Sequence, residues 1–225
     1  MLSVIVPTLN EARHLAATLT PLQALRGERL EIIIVDGGSD DATGEIADRL
    51  ADRVMAAPTG RARQMNAGAT EARGGMLLFL HADTRLSDPA IAQLRRFCRG
   101  AGPAWGRFNV RPDQDRPLFR LITTLMNWRS CLSGIATGDQ AIVVRRDLFW
   151  FVSGFPDIPL MEDIALSRRL KAIVRPTCFS ATVTISMRYW ERNGILRSIL
   201  RMWHLRLAYF LGVSPRWLHR RYYGQ

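Results

Sequence analysis

Carboxylates dominate the residues of this chain that could do chemistry. Asp36 ends the apolar run Ile32-Ile33-Ile34-Val35 and is followed directly by Gly37 and Gly38. A carboxylate there can accept hydrogen bonds from a base N–H or ribose hydroxyls, while the glycines let a ligand reach the backbone. The same residue can equally cap its own turn, with Ser39 or Asp40 capping the next helix. Asp83, in His81-Ala82-Asp83-Thr84, follows a second apolar run, Met76-Leu77-Leu78-Phe79-Leu80. One carboxylate past a buried strand can hold a hard divalent cation against phosphate oxygens, because Mg²⁺ takes only one or two protein carboxylates and fills its shell with phosphate and water. An ordinary turn aspartate looks the same in sequence. Glu162 and Asp163 open a further periodic segment. One of them could act as general base towards an acceptor hydroxyl, or both could simply suit a helix dipole. In Gly60-Arg61-Ala62-Arg63-Gln64-Met65-Asn66-Ala67-Gly68, Arg61 and Arg63 stand at an expected helix start, where guanidinium groups and free N–H groups favour a diphosphate or line a solvated surface. No GxGxxG follows any strand, which disfavours a dinucleotide dehydrogenase.

The elements that must position these groups alternate. Apolar runs predict strands over residues 2–7, 31–35, 54–56 and 76–80. Helical spacing predicts helices over 11–25, 42–50 and 61–72. Strand–helix–strand alternation implies a parallel sheet, whose ligands sit beyond the carboxyl ends of the strands. Asn10-Glu11, Asp36 and His81-Ala82-Asp83 all fall just after strand ends. The second half is less regular: helices are expected over 88–98, 160–170 and 194–211, and strands over 105–110, 141–144 and 178–186. Gly138-Asp139-Gln140 reads as a turn.

The chain has 225 residues and a net charge of +11, and Lys171 is its only lysine among 31 basic residues. Residues 1–163 balance 19 basic against 19 acidic side chains, whereas residues 164–225 carry 12 basic side chains and one acid, Glu191. With 48% apolar residues, wholesale disorder is excluded. Cys98, Cys131 and Cys178 stand far apart without a CxxC pair, a usage expected to exclude a disulfide framework and a structural zinc site and to suit a reducing cytosol. No signal peptide is expected at the N-terminus, and no uncharged apolar stretch approaches the roughly 18 residues of a membrane span.

Taken together and in order, these clusters resemble the inverting family 2 glycosyltransferases. Val4-Ile5-Val6-Pro7-Thr8-Leu9-Asn10-Glu11 looks like the family's first strand and donor loop, and residues 33–43 look like its uridine-contacting segment. Residues 60–68, 79–84, 138–140 and 162–163 fall where it keeps its later motifs. The similarity covers roughly residues 1–170. Gly60–Gly68 and His-Ala-Asp-Thr are most similar to a small bacterial subgroup labelled as arsenosugar-biosynthesis-type. The resemblance implies an α/β chain of GT-A fold, a mainly parallel nucleotide-binding sheet flanked by helices. Residues 1–193 would form that domain and residues 194–225 a basic amphipathic helical extension of it. It further implies a nucleotide-diphosphate-sugar donor, with UDP favoured over GDP, in a pocket of Pro7, Asn10, Glu11, Asp36, Gly37, Arg61, Arg63 and His81. Asp83 would ligate Mg²⁺ or Mn²⁺. Asp163, with Glu162 beside it, would be the base that deprotonates a hydroxyl or phosphate acceptor, lipid-linked in one version of this reading. His81 stands where many members keep the first aspartate of a DxD motif, which removes one anionic contribution near the metal. No full QxxRW motif is present, which argues against a processive polysaccharide synthase.

In residues 194–211, Arg197, Arg201 and His204 lie along one stripe, and apolar residues fill most of the rest, with Arg206 intruding. Arg216, Arg220 and Arg221 follow, interleaved with Trp217, Tyr222 and Tyr223. Such a helix either docks its apolar face on the domain or meets an anionic bilayer, and the tail after Pro215 suits lipid phosphate. The expected location is cytoplasmic, with the inner membrane face as a candidate surface. Competing readings are a sugar nucleotidyltransferase, a catalytically silent scaffold and a nucleic-acid-binding module. The neutral first 163 residues speak against the last, so no nucleic-acid partner is expected.

Overall fold

The structure, a computed structural model, describes residues 1–27, 29–100 and 104–223; the Tyr223 side chain and residues 224–225, at the end of the expected extension, lie outside the described residues. Strand β1 (Leu2–Thr8) leads to α1 (Ala12–Leu19), which tightens into a 3₁₀ turn from Thr20, with Pro21 near its start. Then follow β2 (Leu30–Asp36), α2 (Thr43–Leu50), β3 (Arg53–Ala56), α3 (Arg61–Glu71), β4 (Met76–Phe79), β5 (Arg85–Leu86) and α4 (Asp88–Arg99). The second half runs β6 (Trp105–Pro112), α5 (Pro117–Ser133), β7 (Ile142–Arg145), α6 (Arg146–Phe151), α7 (Glu162–Ile173), β8 (Thr177–Ile185), α8 (Arg188–Asn193), α9 (Ile195–Phe210) and α10 (Pro215–Tyr223).

The described strands form one sheet in the order β3-β2-β1-β4-β7-β6-β8-β5. Its first four strands are parallel, as the alternation required, whereas β7 runs antiparallel to both β4 and β6. The apolar runs of β1 and β2 are nearly continuous because both faces are covered. Val4, Val6, Ile32 and Ile34 meet one core layer, and Ile5, Ile33 and Val35 the other. Gly68 lets α3 approach closely: a Cβ there would lie 2.5 Å from Ile5 Cγ2.

The register of β7 decides what gathers at the ligand edge. Phe79 pairs with Ile142, so the start of β7 lies beside the end of β4. The Gly138–Gln140 turn therefore faces His81. Strand β8 runs parallel to β6, ends at the same edge, and delivers α8 there.

Besides the short β5, α6 and α8, which the sequence did not predict, one long element and one covalent link depart from expectation. Helix α5, 17 residues long, falls where no element is predicted. It starts with Pro117 and stops at Gly134, whose φ of 66° is left-handed. Its apolar residues lie on two opposing sides, Phe119 and Ile122 inward and Leu121, Leu125 and Trp128 outward. A helical periodicity signal cancels under that arrangement. The cysteine expectation is corrected too: Cys131 of α5 and Cys178 of β8 form a disulfide with Cα atoms 5.9 Å apart. Their separation of 47 residues hid that proximity, and closing a loop of that length stabilises by on the order of 4 kcal/mol in the chain-entropy account. No helix among the described residues is long and apolar enough to cross a membrane.

Candidate active site at the carboxyl edge of the sheet

The loops after β1 and β2 are laced together. Asn10 adopts φ 56°, its backbone N–H donates to Ser39 Oγ (2.9 Å), and its Oδ1 accepts from Asp40 N–H (2.9 Å). The Glu11 and Ala12 N–H groups donate to Thr43 Oγ1 and Asp41 Oδ2. Asp36 accepts from the Thr8 hydroxyl (3.0 Å), the Ser39 hydroxyl, and the N–H groups of Gly38 (3.1 Å) and Ser39 (2.8 Å). Partial burial alone would raise its pKa, but these bonds, led by those from Ser39, outweigh it and hold the carboxyl below its usual value. Asp36 is thus the cap of its own turn, and a ligand donor would have to exchange with the Ser39 hydroxyl. Pro7 is buried within β1, and Gly37 donates to Thr8 O at 2.9 Å. Gln64 escaped the sequence reading: its Nε2 donates to both Thr8 O and Val35 O at 2.8 Å, fastening the ends of β1 and β2 to α3.

The two arginines of the Gly60–Gly68 segment do not act together. Residues two apart on a helix point about 200° away from each other. Arg63 accordingly pairs with Asp157 at 2.8 Å, whereas Arg61 lies within electrostatic reach of Asp139 and Glu162.

At the start of β7 a second cluster forms. His81 is buried, with Nδ1 3.3 Å from Asp139 Oδ1, and its ring packs on Gly138. The Gly138 N–H donates to Asp163 Oδ2 at 2.8 Å, and Ile164 N–H to Oδ1 at 2.7 Å. Burial would raise the Asp139 pKa, but His81, Arg61 and Arg206 lower it below the usual value. Glu162 behaves oppositely. Only 6% exposed, it is pushed up to about 7, first by burial and then by Asp163. A proton therefore binds Glu162 more tightly in the folded chain, so its contribution to stability is full below about pH 4.5 and is lost as pH rises to about 7. Glu162→Gln should remove that loss, which amounts to on the order of 3 kcal/mol. In thermal melts at pH 5 and pH 8, the variant should show the smaller difference in Tm; equal differences would refute the assignment.

Three arginines that the sequence reading did not place at the site complete it. Arg188 of α8 reaches both Asp83 Oδ2 and Glu11 Oε2 at 3.6 Å. Arg129 of α5 and Arg206 of α9 both lie within electrostatic reach of Asp163. Burial depresses both of these, Arg129 to about 10. The signals were unequal. Arg188 stands three residues past a strand end, and Arg206 interrupts an apolar pattern, but Arg129 sits in the unpredicted helix.

The profile described as Glycosyl transferase family 2 matches residues 3–150, nearly two thirds of the chain. The chain belongs to glycosyl transferase family 2. A PGL/p-HBAD biosynthesis glycosyltransferase of Mycobacterium bovis is 39% identical over 162 residues, covering 66% of this chain and 60% of the relative. This family 2 chain thus spans about 60% of the length of the curated relatives it matches first. It shares the GT-A fold of solved glycosyltransferases. Staphylococcus aureus TarS 1–349 in complex with UDP-GlcNAc superposes with a TM-score of 0.66 at 18% identity, over 82% of this chain and 58% of that one. The Pyrobaculum calidifontis mannosyltransferase in complex with GDP-Man and Mn²⁺ gives 0.63 at 20% identity, over 92% and 60%. Glu162 and Asp163 lie beyond the family match, so their roles rest on geometry.

Proposed function

We propose that this chain carries a metal-dependent inverting glycosyltransferase activity, moving a hexose from a nucleotide-diphosphate sugar, UDP before GDP, to a hydroxyl or phosphate acceptor. One observation carries the reading: the Asp36 turn, the Asp83–Glu11 pair and Asp163 stand along a single sheet edge, with Gly138 linking the last to the strand beside β4. The UDP-GlcNAc and GDP-Man complexes of proteins sharing this fold support the donor class. The subgroup likeness carried by Gly60–Gly68 and residues 81–84 remains part of the proposal, beside relatives that bear a different label. So does the cytoplasmic location, which no longer draws on the cysteines.

The residues present fit a divalent ion. Asp83 and Glu11 face one another closely enough that Asp83 raises the Glu11 pKa, after burial, and Glu11 Oε2 has no hydrogen-bond partner among the described residues. The two carboxylates share the Arg188 guanidinium at 3.6 Å; with Arg188 turned to the diphosphate they would hold the ion, and the diphosphate would supply the remaining oxygens. Such an ion offsets charge developing on the leaving diphosphate. The chain itself does the rest. The Asp36 turn receives the nucleoside, and Arg61 and Arg188 orient the diphosphate. Asp163 takes the proton from the acceptor hydroxyl as it attacks the anomeric carbon from the opposite face, one carboxylate sufficing for single-displacement inversion. Arg129 Nη2 is buried without a hydrogen-bond partner among the described residues, which suits an acceptor phosphate beside Asp163.

Calorimetric titration of UDP and of GDP, with and without Mn²⁺, tests this. UDP should bind more tightly with Mn²⁺, and Asp83→Ala should abolish that gain. Failure of both nucleotides to bind would sink the proposal.

A further inference from the structure

We infer that helices α5 and α9 dock this chain on an anionic phospholipid bilayer. The inference deepens the function proposed above by naming the surface from which the acceptor comes, and only its bearing on the acceptor rests on that reading.

An amphipathic helix normally turns its apolar stripe inward. Both helices here carry a second stripe that faces out. On α5, Leu118, Leu121, Leu125, Trp128 and Leu132 are 46–66% exposed. On α9, Leu196, Leu200, Trp203, Leu207 and Phe210 are 52–70% exposed. Spacings of three and four residues put each set on one side of its helix. The extension does dock on the domain: Leu205, Ala208 and Leu218 pack with Ile135, Met161 and Ile164, and Ile195 and Ile199 pack against the main core. The rest of the apolar face expected to cover the domain, from Leu196 to Phe210, is left outside.

Both stripes border the candidate acceptor side. Arg129 lies about 40° around α5 from Leu125, and Arg206 about 60° around α9 from Trp203. Both arginines lie within electrostatic reach of Asp163.

Charge identifies the occupant. Arg197, Arg201 and His204 run directly beside the α9 stripe, and an open cavity of about 1000 Å³ between α9 and α10 is lined by them with Trp217, Arg220 and Arg221. Glu191, the only acid in residues 164–225, is held by Gln114 and Arg116. A second copy of this chain would set arginine against arginine. A bilayer with anionic headgroups offers apolar depth to the leucines, an interface to Trp128 and Trp203, and phosphate to the arginines. Helices of 17 and 16 residues present about 25 Å of stripe each, a length suited to a planar partner.

The test is co-flotation of the full chain with phosphatidylcholine vesicles, with and without phosphatidylglycerol. Binding should be at least about tenfold tighter with phosphatidylglycerol and should weaken as salt rises. Leu125→Asp with Trp203→Asp should cut vesicle binding roughly tenfold while UDP affinity and the melting temperature hold. Arg197→Gln with Arg201→Gln should erase the preference for phosphatidylglycerol. Lack of binding to either vesicle would overturn the inference. So would a concentration-dependent dimer that Leu125→Asp dissolves, or competition by inorganic phosphate strong enough to release the chain from vesicles at constant ionic strength. Vesicle binding without UDP binding would leave the docking standing and defeat the proposed activity; the reverse pattern would do the opposite.

Discussion

Replacing Asp163 by Asn should lower glycosyl transfer by about 10³-fold while leaving Mn²⁺-dependent UDP affinity within a factor of about two. The geometry explains both halves. Asp163 is fixed by two backbone donors, Gly138 N–H on Oδ2 and Ile164 N–H on Oδ1. Each oxygen retains a lone pair, so a bound acceptor hydroxyl has somewhere to send its proton. Asn cannot take that proton, and its NH₂ would face either the Gly138 or the Ile164 N–H. The proposed donor station is separate. Asp36 is bound by Thr8, Gly38 and Ser39, and Asp83 faces Glu11 and Arg188, none of which contacts Asp163 through a hydrogen bond. Transfer of hexose from a radiolabelled donor to acceptors from a total lipid extract measures the first quantity, and calorimetry the second. Glu162→Gln provides the contrast. If Asp163→Asn retains transfer and Glu162→Gln loses it, the buried glutamate is the base.

Most of the parallel half was legible because its signals are local. The apolar runs before Asn10, Asp36 and His81 are strands, and their ends share an edge, as a parallel sheet requires. What stayed hidden depends on contacts distant in sequence. Asp139 reads as a turn residue until the pairing of Phe79 with Ile142 brings it to His81. Cys131 and Cys178 reveal nothing until α5, packed on β6, brings Cys131 to β8. The failure at α5 is instructive. Its outward leucines and inward Phe119 and Ile122 cancel the period that identifies a helix, so the element was lost together with Arg129. The same two-sided pattern on a solvent-facing helix makes it a docking candidate. On α5, illegibility and the proposed docking share one cause, apolar residues on two faces of a helix that has a core on only one.

Gly138→Ala should lower transfer by about 10²-fold through a single methyl group. A Cβ at this position would lie 2.5 Å from His81 Cε1, closer than real Cβ atoms approach anything. The ring cannot simply swing away, because His81 is 8% exposed and directs Nδ1 to Asp139. The turn must therefore move, and Gly138 N–H moves with it, away from Asp163 Oδ2. A displacement of about 1 Å at a reacting group can cost about 10²-fold, and here the base and the His81–Asp139 pair shift together. Stability should fall by a more ordinary 1–3 kcal/mol, approximately the penalty for overpacking. The informative comparison is with Gly75→Ala, where a Cβ would meet nothing within 4 Å. That variant should transfer hexose at the wild-type rate. His81→Ala combined with Gly138→Ala should recover part of the melting temperature by vacating the clash, yet transfer should stay low because the Asp139 partner is gone. Full activity in Gly138→Ala alone would show that the turn does not position Asp163.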